Sequence, residues 1–527
     1  MVSSKEKRIL RRIAAIDLGT NSFHAVIVDI FSDGSFYTID RLKEMVLLAE
    51  KGIGDNLTPQ AMDRGIEALK RIQMLCEHQN VEEILAFATS AIREAENGGE
   101  FIQTAIDELG IKINAISGKL EAELISYAVR HGVSMDNKPV MMMDIGGGSV
   151  EFILGNRKKT YFLTSLKLGV ARMTAEFVNR DPITHDEIKT LHQHYEKQLT
   201  SVAQAFAQHR ANLMIGSSGT MQNIALMISH MKNESPSLNI NEVTFTNKDF
   251  YSLYQKVIPM NRQERLGLKG LDEKRVDIIT PGLVLVDYLL KRFGIRKVKI
   301  SEQALREGIV LRYIKNELPE LKQMMNNVEP RRKSIFELLR KTDWHEEHSR
   351  HVAEISIKLF DHFQERLNLP DSDRELLEYA AYLHDIGYYI SHRKHHKHAQ
   401  YLIRNADLRG FKEIEVEIMA NVARYHRRST PKSRHIYYHQ LPDDVKDRVS
   451  KLSGILRVAD GLDRSHYQNV LKVDIEETGN TITLRLTSQE DPQLEIWGAK
   501  RKSELFEEVT GKKLDIKSIE VLRSVLS

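Results

Sequence analysis

A single cysteine, Cys76, is all the thiol in this chain, which excludes internal disulfides and thiolate metal sites. Cys76 falls in the apolar helical pattern Ile66, Leu69, Ile72, Leu75 and reads as a buried structural thiol, not a nucleophile. Long hydrophobic runs are also missing. No segment supplies the roughly 20 unbroken apolar residues of a membrane helix, so no membrane partner is expected. The basic stretch Met1 to Arg12 is not followed by an apolar core long enough for a signal peptide, because Asp17 and Gly19 interrupt it, and a cytoplasmic protein is expected. Neither sign of charge dominates. A net charge of +3 points to no partner class by itself, and no nucleic-acid partner is expected. Low-complexity linkers are absent too, so domain boundaries carry no compositional mark.

What is present is length and a change of texture. At 527 residues the chain exceeds one hydrophobic core, and about three or four domains are expected. The opening stretch alternates short β-rich runs (IAAID, FHAVIVDI, EEILAFAT) with helical patterns such as Ala61 to His78, an α/β rhythm. From about Pro319 to Asp463 the periodicity is helical and rich in His and Tyr. The last sixty or so residues return to strands, LKVDIEE and TITLRLT around a Thr-Gly-Asn turn, then the helix-like KSELFEEVTG. The expected domains are 1–130, 131–318, 319–466 and 467–527.

Two distant segments, IAAIDLGTNSFHAVIVDI and MMMDIGGGSVEFILG, share one pattern: apolar strand, Asp, glycine turn, hydroxyl residue, second strand. Asp17 and Asp144 end the first strand of each copy. The glycines that follow, Gly19 in one copy and Gly146, Gly147 and Gly148 in the other, let backbone N–H groups approach a phosphate. Thr20, Asn21, Ser22 and Ser149 add donors. A third turn, GSSGT, brings Gly216, Ser217, Gly219 and Thr220 to the start of a helix-like stretch, whose N–H groups can face an anion.

Facing phosphate turns on duplicated domains resemble the actin, hexokinase and sugar-kinase superfamily, which implies duplicated actin-like (ribonuclease H-like) α/β domains with phosphates in the cleft between them. The ordered motifs DLGTNSFH, ATSAIREAEN, ISGKLEAELI and DIGGGSVE, with GSSGT, resemble the Ppx/GppA phosphatase family more closely, over roughly Ile13 to Leu311. The resemblance implies hydrolysis of phosphoanhydrides, with Glu121, the Glu before Ala in the family's Ser-Gly-x-Glu-Glu-Ala motif, as the base that activates water. The preceding Glu of that motif is Leu120 here, which leaves Glu121 the only carboxylate in it. Glu151 shares a strand face with Ser149 and is the second candidate for positioning water or metal. Asp17 and Asp144 suit a hydrated Mg²⁺ in the cleft, and Arg93 in ATSAIREAEN would clamp phosphate oxygens. Lys119 and Lys167 are read as solvated side chains.

The helical segment carries ligand chemistry without cysteine: His348, the pair His384-Asp385 after YAAYL, His426 in ARYHRR and Asp460 in RVADGLD. HSRHVAEI, LHDIG and VADGLD resemble an HD phosphohydrolase domain over about Ser334 to Ser465, which implies an all-α domain holding a second divalent metal such as Mn²⁺ or Fe. His398 is a further candidate ligand or phosphate contact. His351, His392, His395 and His396 are read as satisfied core or surface groups. The basic runs SHRKHHKH and RYHRRSTPKSRH are either solvated faces or a track for a long polyanion.

Three functions remain open at this point. An exopolyphosphatase would cut terminal phosphates from inorganic polyphosphate, and a guanosine pentaphosphate 5′-phosphatase would use the same residues. A polyphosphate or nucleotide sensor would bind without hydrolysing. A homodimer is expected, since paired subunits would lengthen a basic track.

Overall fold

Alternating burial organises the first sheet. β1 (Ile9–Leu18) turns Ala14, Ile16 and Leu18 into one hydrophobic core and Ile13 and Ala15 into another, the pattern of a strand covered on both faces. It pairs antiparallel with β2 (Ser22–Phe31), and β2 pairs antiparallel with β3 (Phe36–Met45). On its other edge β1 runs parallel to β4 (Glu83–Ala88), which runs parallel to β5 (Ile113–Ala115), so the order is β3-β2-β1-β4-β5. Helices Pro59–His78 and Gly98–Leu109 cover one face. The Thr58 hydroxyl caps the first by accepting from the Ala61 N–H at 3.1 Å, and Cys76 is buried within it. This computed structural model describes residues 9–32, 34–48, 56–232, 240–318, 330–342 and 344–521. Most of the opening basic run and the expected boundary at Pro319 lie outside the described residues.

The second sheet repeats the first. Its strands are β6 (Val140–Ile145), β7 (Val150–Gly155), β8 (Thr160–Leu166), β9 (Leu213–Ser217), β10 (Thr244–Thr246) and β11 (Lys297–Ile300). Their order is β8-β7-β6-β9-β11, with β10 added at the edge. β6 is antiparallel to β7 and parallel to β9, as β1 is to β2 and β4. The repeat extends to register: Asp17 lies opposite His24, and Asp144 lies opposite Glu151. Helices Gly118–Gly132 and Leu305–Glu317 serve both sheets, since Leu124, Ile125, Ile309 and Val310 share a core with Ile13 and Ala15 of one and Val140 and Met142 of the other. This is the duplicated actin-like arrangement expected from the sequence.

The chain divides into two compact units, Met1–Pro330 with both of these sheets, and Arg331–Ser527. In the second unit the main helices are Glu346–Leu367, Ser372–Leu383, His395–Arg404, Glu413–Tyr425 and Asp443–Gly461. They share one core with a three-stranded sheet, β12 (Val470–Thr478), β13 (Thr481–Ser488) and β14 (Lys513–Val521), through Val473, Leu484 and Ile516. Among the described residues no helix is long and apolar enough to cross a membrane.

Candidate functional site

Each Asp-bearing strand of the first unit ends in the same tight turn. The Gly19 N–H donates to the Ser22 carbonyl at 3.2 Å, and the Gly146 N–H donates to the Ser149 carbonyl at 3.0 Å. The two turns meet: a Cβ on Gly147 would stand 3.2 Å from both Asn21 Nδ2 and Thr20 Cβ. Side chains would hold the turns apart, whereas glycine leaves their backbones close enough to face one ligand. Between them lies a cavity of about 210 Å³. Its wall brings together most residues singled out in the sequence: Asp17, Gly19, Thr20, Asn21, Ser22, Glu121, Asp144, Gly146, Gly147, Gly148, Ser149 and Glu151.

Four of these are carboxyls in a buried place. Burial pushes Asp17 up to about 7, with Glu121 adding repulsion and Arg306 pulling against it. Burial likewise raises Glu121, against the pull of Arg93 and with reinforcement from Asp144 and Glu94. It raises Asp144 against the Ser217 hydroxyl and Arg275, and lifts Glu151 well above the carboxylate range, helped by Glu121 and Asp144. Four carboxyls that resist joint ionisation form a donor set that a divalent cation relieves, and all-oxygen donors suit Mg²⁺. Among the described residues, sets of three or more ligand atoms within 4.8 Å of one another all lie in the second unit.

Arg93 is placed differently from a phosphate clamp. Its Nη1 donates to the Ile116 carbonyl at 2.8 Å and to Glu121 Oε2 at 3.0 Å, and it is not part of the cavity wall. Its geometry tunes Glu121. In the third turn Gly219 and the neighbouring Ser218 face the cavity, whereas Gly216, Ser217 and Thr220 sit behind it. Ser217 donates to Asp144 Oδ2 at 2.5 Å. Thr220 is 3.4 Å from Arg275 Nη1. Helix Ser218–Met231 starts here without a side-chain cap, and the buried Ser218 hydroxyl has no partner. Its first N–H groups and that hydroxyl are therefore available to an anion.

The cavity's cations were not legible in the motifs. Lys43, Arg275 and Arg306 line it, from β3, a 3-10 turn and the helix Leu305–Glu317. Each sits in an ordinary charged stretch, and only chain crossing brings it inward. Together they hold His24 down at about 3, burial acting first, so its imidazole is neutral.

In the second unit His348, His384 and Asp460 converge, as do Asp385, His395 and His426, all six buried. His348 Nε2 lies 3.3 Å from His384 Nε2 and 3.7 Å from Asp460 Oδ1. His395, read from sequence as a satisfied group, points Nε2 at Asp385 Oδ1 across 3.2 Å, while His398 is outside the clusters. Burial works to raise Asp460, but Lys502, His426 and His384 outweigh it and hold the carboxyl below its usual range. The run SHRKHHKH is thus split, with His395 and His396 buried and Arg393, Lys394 and Lys397 exposed.

Comparison with known proteins covers most of the chain. Residues 26–317 match the Ppx/GppA phosphatase family, and residues 331–497 match Ppx/GppA phosphatase domain III. The crystal structure of an exopolyphosphatase from Cytophaga hutchinsonii is 31% identical with a TM-score of 0.55, the match covering 60% of this chain and 100% of that one. The Aquifex aeolicus member of the Ppx/GppA family is 25% identical with a TM-score of 0.51, over 58% of this chain and 98% of that one.

Proposed function

Since the chain belongs to the Ppx/GppA phosphatase family and so hydrolyses phosphoanhydride bonds, we propose that it is an exopolyphosphatase, releasing terminal phosphates from inorganic polyphosphate. The observation that carries this reading is the composition of the cavity wall. Two repeated glycine turns and three cations surround five carboxyls, Glu302 beside Asp17, Glu121, Asp144 and Glu151, and among the described residues the wall has no Phe, Tyr or Trp on which a guanine could stack.

The turn N–H groups, Thr20, Ser22 and Ser149 bind phosphate oxygens, and Lys43, Arg275 and Arg306 offset their charge. Asp17 and Asp144 would hold Mg²⁺, which when bound supplies further neutralisation of the phosphoryl group. Glu121 accepts the proton of a water whose oxygen bonds to the terminal phosphorus as the bridging P–O bond breaks. Inorganic phosphate and a chain one unit shorter result. A carboxyl raised by burial and restrained by Arg93 exchanges protons near neutral pH, which suits a general base. Glu151, accepting from the Ser165 hydroxyl at 2.7 Å, is held in place to orient that water. In the second unit the same proposal includes a divalent ion such as Mn²⁺ or Fe on His348, His384, Asp385 and Asp460.

Purified wild type and Glu121→Gln, each offered long polyphosphate and guanosine pentaphosphate, test the assignment. Wild type should release phosphate from polyphosphate, and Glu121→Gln should lose about 10²–10⁴-fold in kcat. Turnover of guanosine pentaphosphate with none of polyphosphate would assign the 5′-phosphatase instead. Tight binding of polyphosphate without release would make the protein a sensor.

A further inference from the structure

The internal repeat puts matching rows of side chains on the two sheets of the first unit. In the second sheet Asp144, Glu151 and Ser165 lie side by side across β6, β7 and β8. In the first sheet Asp17, His24 and Lys43 lie side by side across β1, β2 and β3, and all three are in the cavity wall. His24 therefore occupies the place of Glu151, with an imidazole where the other copy has a carboxyl. Each copy also has a serine two residues earlier, Ser22 and Ser149.

The partners of His24 fix where its proton sits. Arg306 Nη1 approaches its Nδ1 at 3.4 Å, and Ser22 Oγ lies 2.7 Å from its Nε2. A guanidinium only donates, so Nδ1 accepts, and the ring is neutral with its one proton on Nε2. Burial and the nearby charges of Arg306, Lys43 and Arg275 favour the same neutral form. The Nε2–H then donates to Ser22 Oγ, and a hydroxyl oxygen that accepts from an imidazole turns its own hydrogen elsewhere. Ser22 lines the cavity between the glycine turns. We propose that His24 is a positioning residue: held by Arg306, it commits the Ser22 hydroxyl to donate to a phosphate oxygen in the cavity. This inference rests on the reading of that cavity as a phosphate site.

The two rows thus differ in hydrogen-bond polarity. In the first a chain of donors runs from guanidinium through imidazole to hydroxyl, and its end suits an ionised phosphate oxygen, which can only accept. In the second Glu151 accepts from the Ser165 hydroxyl at 2.7 Å, and a carboxyl at that place suits a water, which can donate to it. A glutamate in place of His24 would take the Ser22 proton and turn the lone pairs of the hydroxyl toward the phosphate. The same repeat therefore serves two partners because one residue of the row differs.

The test reads the tautomer and phosphate binding, neither of which needs turnover. In full-length protein with isotope-labelled histidine nitrogens, nuclear magnetic resonance at about pH 7 should show one ring, absent from His24→Gln, with its proton on Nε2 and a bare Nδ1. By titration calorimetry His24→Phe should weaken inorganic phosphate by about 10-fold, Ser22→Ala by the same factor, and the double variant no further than either alone. His24→Gln, whose amide N–H can replace the Nε2–H, should bind phosphate close to wild type. Losses that multiply in the double variant would overturn the relay, as would a ring protonated on Nδ1. An equal loss in His24→Gln and His24→Phe, both with native circular dichroism, would overturn it too. A wild type that shows the non-additive cycle yet releases no phosphate from polyphosphate would retire the exopolyphosphatase reading and leave the relay standing.

Discussion

At the scale of single residues, the cavity depends on where side chains are missing as much as on where they are present. Arg275 lies across Gly219 so closely that a Cβ there would fall 2.0 Å from its guanidinium. The obstructed atom is the end of a flexible chain, so the backbone need not move. Gly219→Ala should therefore leave the melting temperature almost unchanged while pushing Arg275 off its place. A loss of one charge-assisted phosphate contact, about 1.5–3 kcal/mol, corresponds to about 10–100-fold in kcat/KM. Steady-state kinetics beside a thermal melt would check it, and unchanged kinetics would show that Arg275 does not act on the phosphate. Arg93 illustrates the opposite case. Its motif marked it as important, but its partner is Glu121, so its effect on a phosphate passes through a carboxyl.

Among elements, helix Gly118–Gly132 does most to set the site, because its first turn carries Glu121. Ser117 caps it, its hydroxyl accepting from the Leu120 N–H at 3.2 Å, and Gly118 lets that turn rest on β8. A Cβ on Gly118 would stand 2.5 Å from Ser165 Cβ, and Ser165 holds Glu151. Gly118→Ala should wedge the helix start from the strand, displacing both glutamates at once. Overpacking of this kind costs about 1–3 kcal/mol, and activity should fall at least as far as in a Ser165→Ala variant, which loses only the Glu151 bond. Chemical denaturation and phosphate release measured on the two variants distinguish these outcomes. The segment itself was legible as the motif ISGKLEAELI. Its docking on β8 was not, because nothing local records which strand a helix will meet.

Across the whole molecule, the cleft carboxyls tie stability to pH and to cations. Asp17, Glu121, Asp144 and Glu151 keep protons in the fold at pH values where the unfolded chain has lost them. The folded state thus binds more protons, and stability falls as pH rises from the ordinary carboxylate range through the folded-state values, about 7 for Asp17. Asp17 alone accounts for a decline of at most about 4 kcal/mol. In calorimetry without divalent ions, the melting transition of the first unit should move down between about pH 4 and pH 7, and Mg²⁺ should restore more at the upper end than at the lower. Asp17→Asn should flatten the slope; an equal slope in that variant would place the titration elsewhere. What the sequence by itself determined is the repeat: period-two apolar runs ending in Asp and glycine turns specify two like sheets and the strand ends where an anion can bind. Those are short-range patterns, each readable within about twenty residues. The tertiary structure alone decided that the turns touch, that Lys43, Arg275 and Arg306 close the wall, that Arg93 answers to Glu121, and that His395 joins Asp385. The reason is that each depends on which distant backbones cross, and the altered acidity of the carboxyls depends on burial, which no local pattern of residues carries.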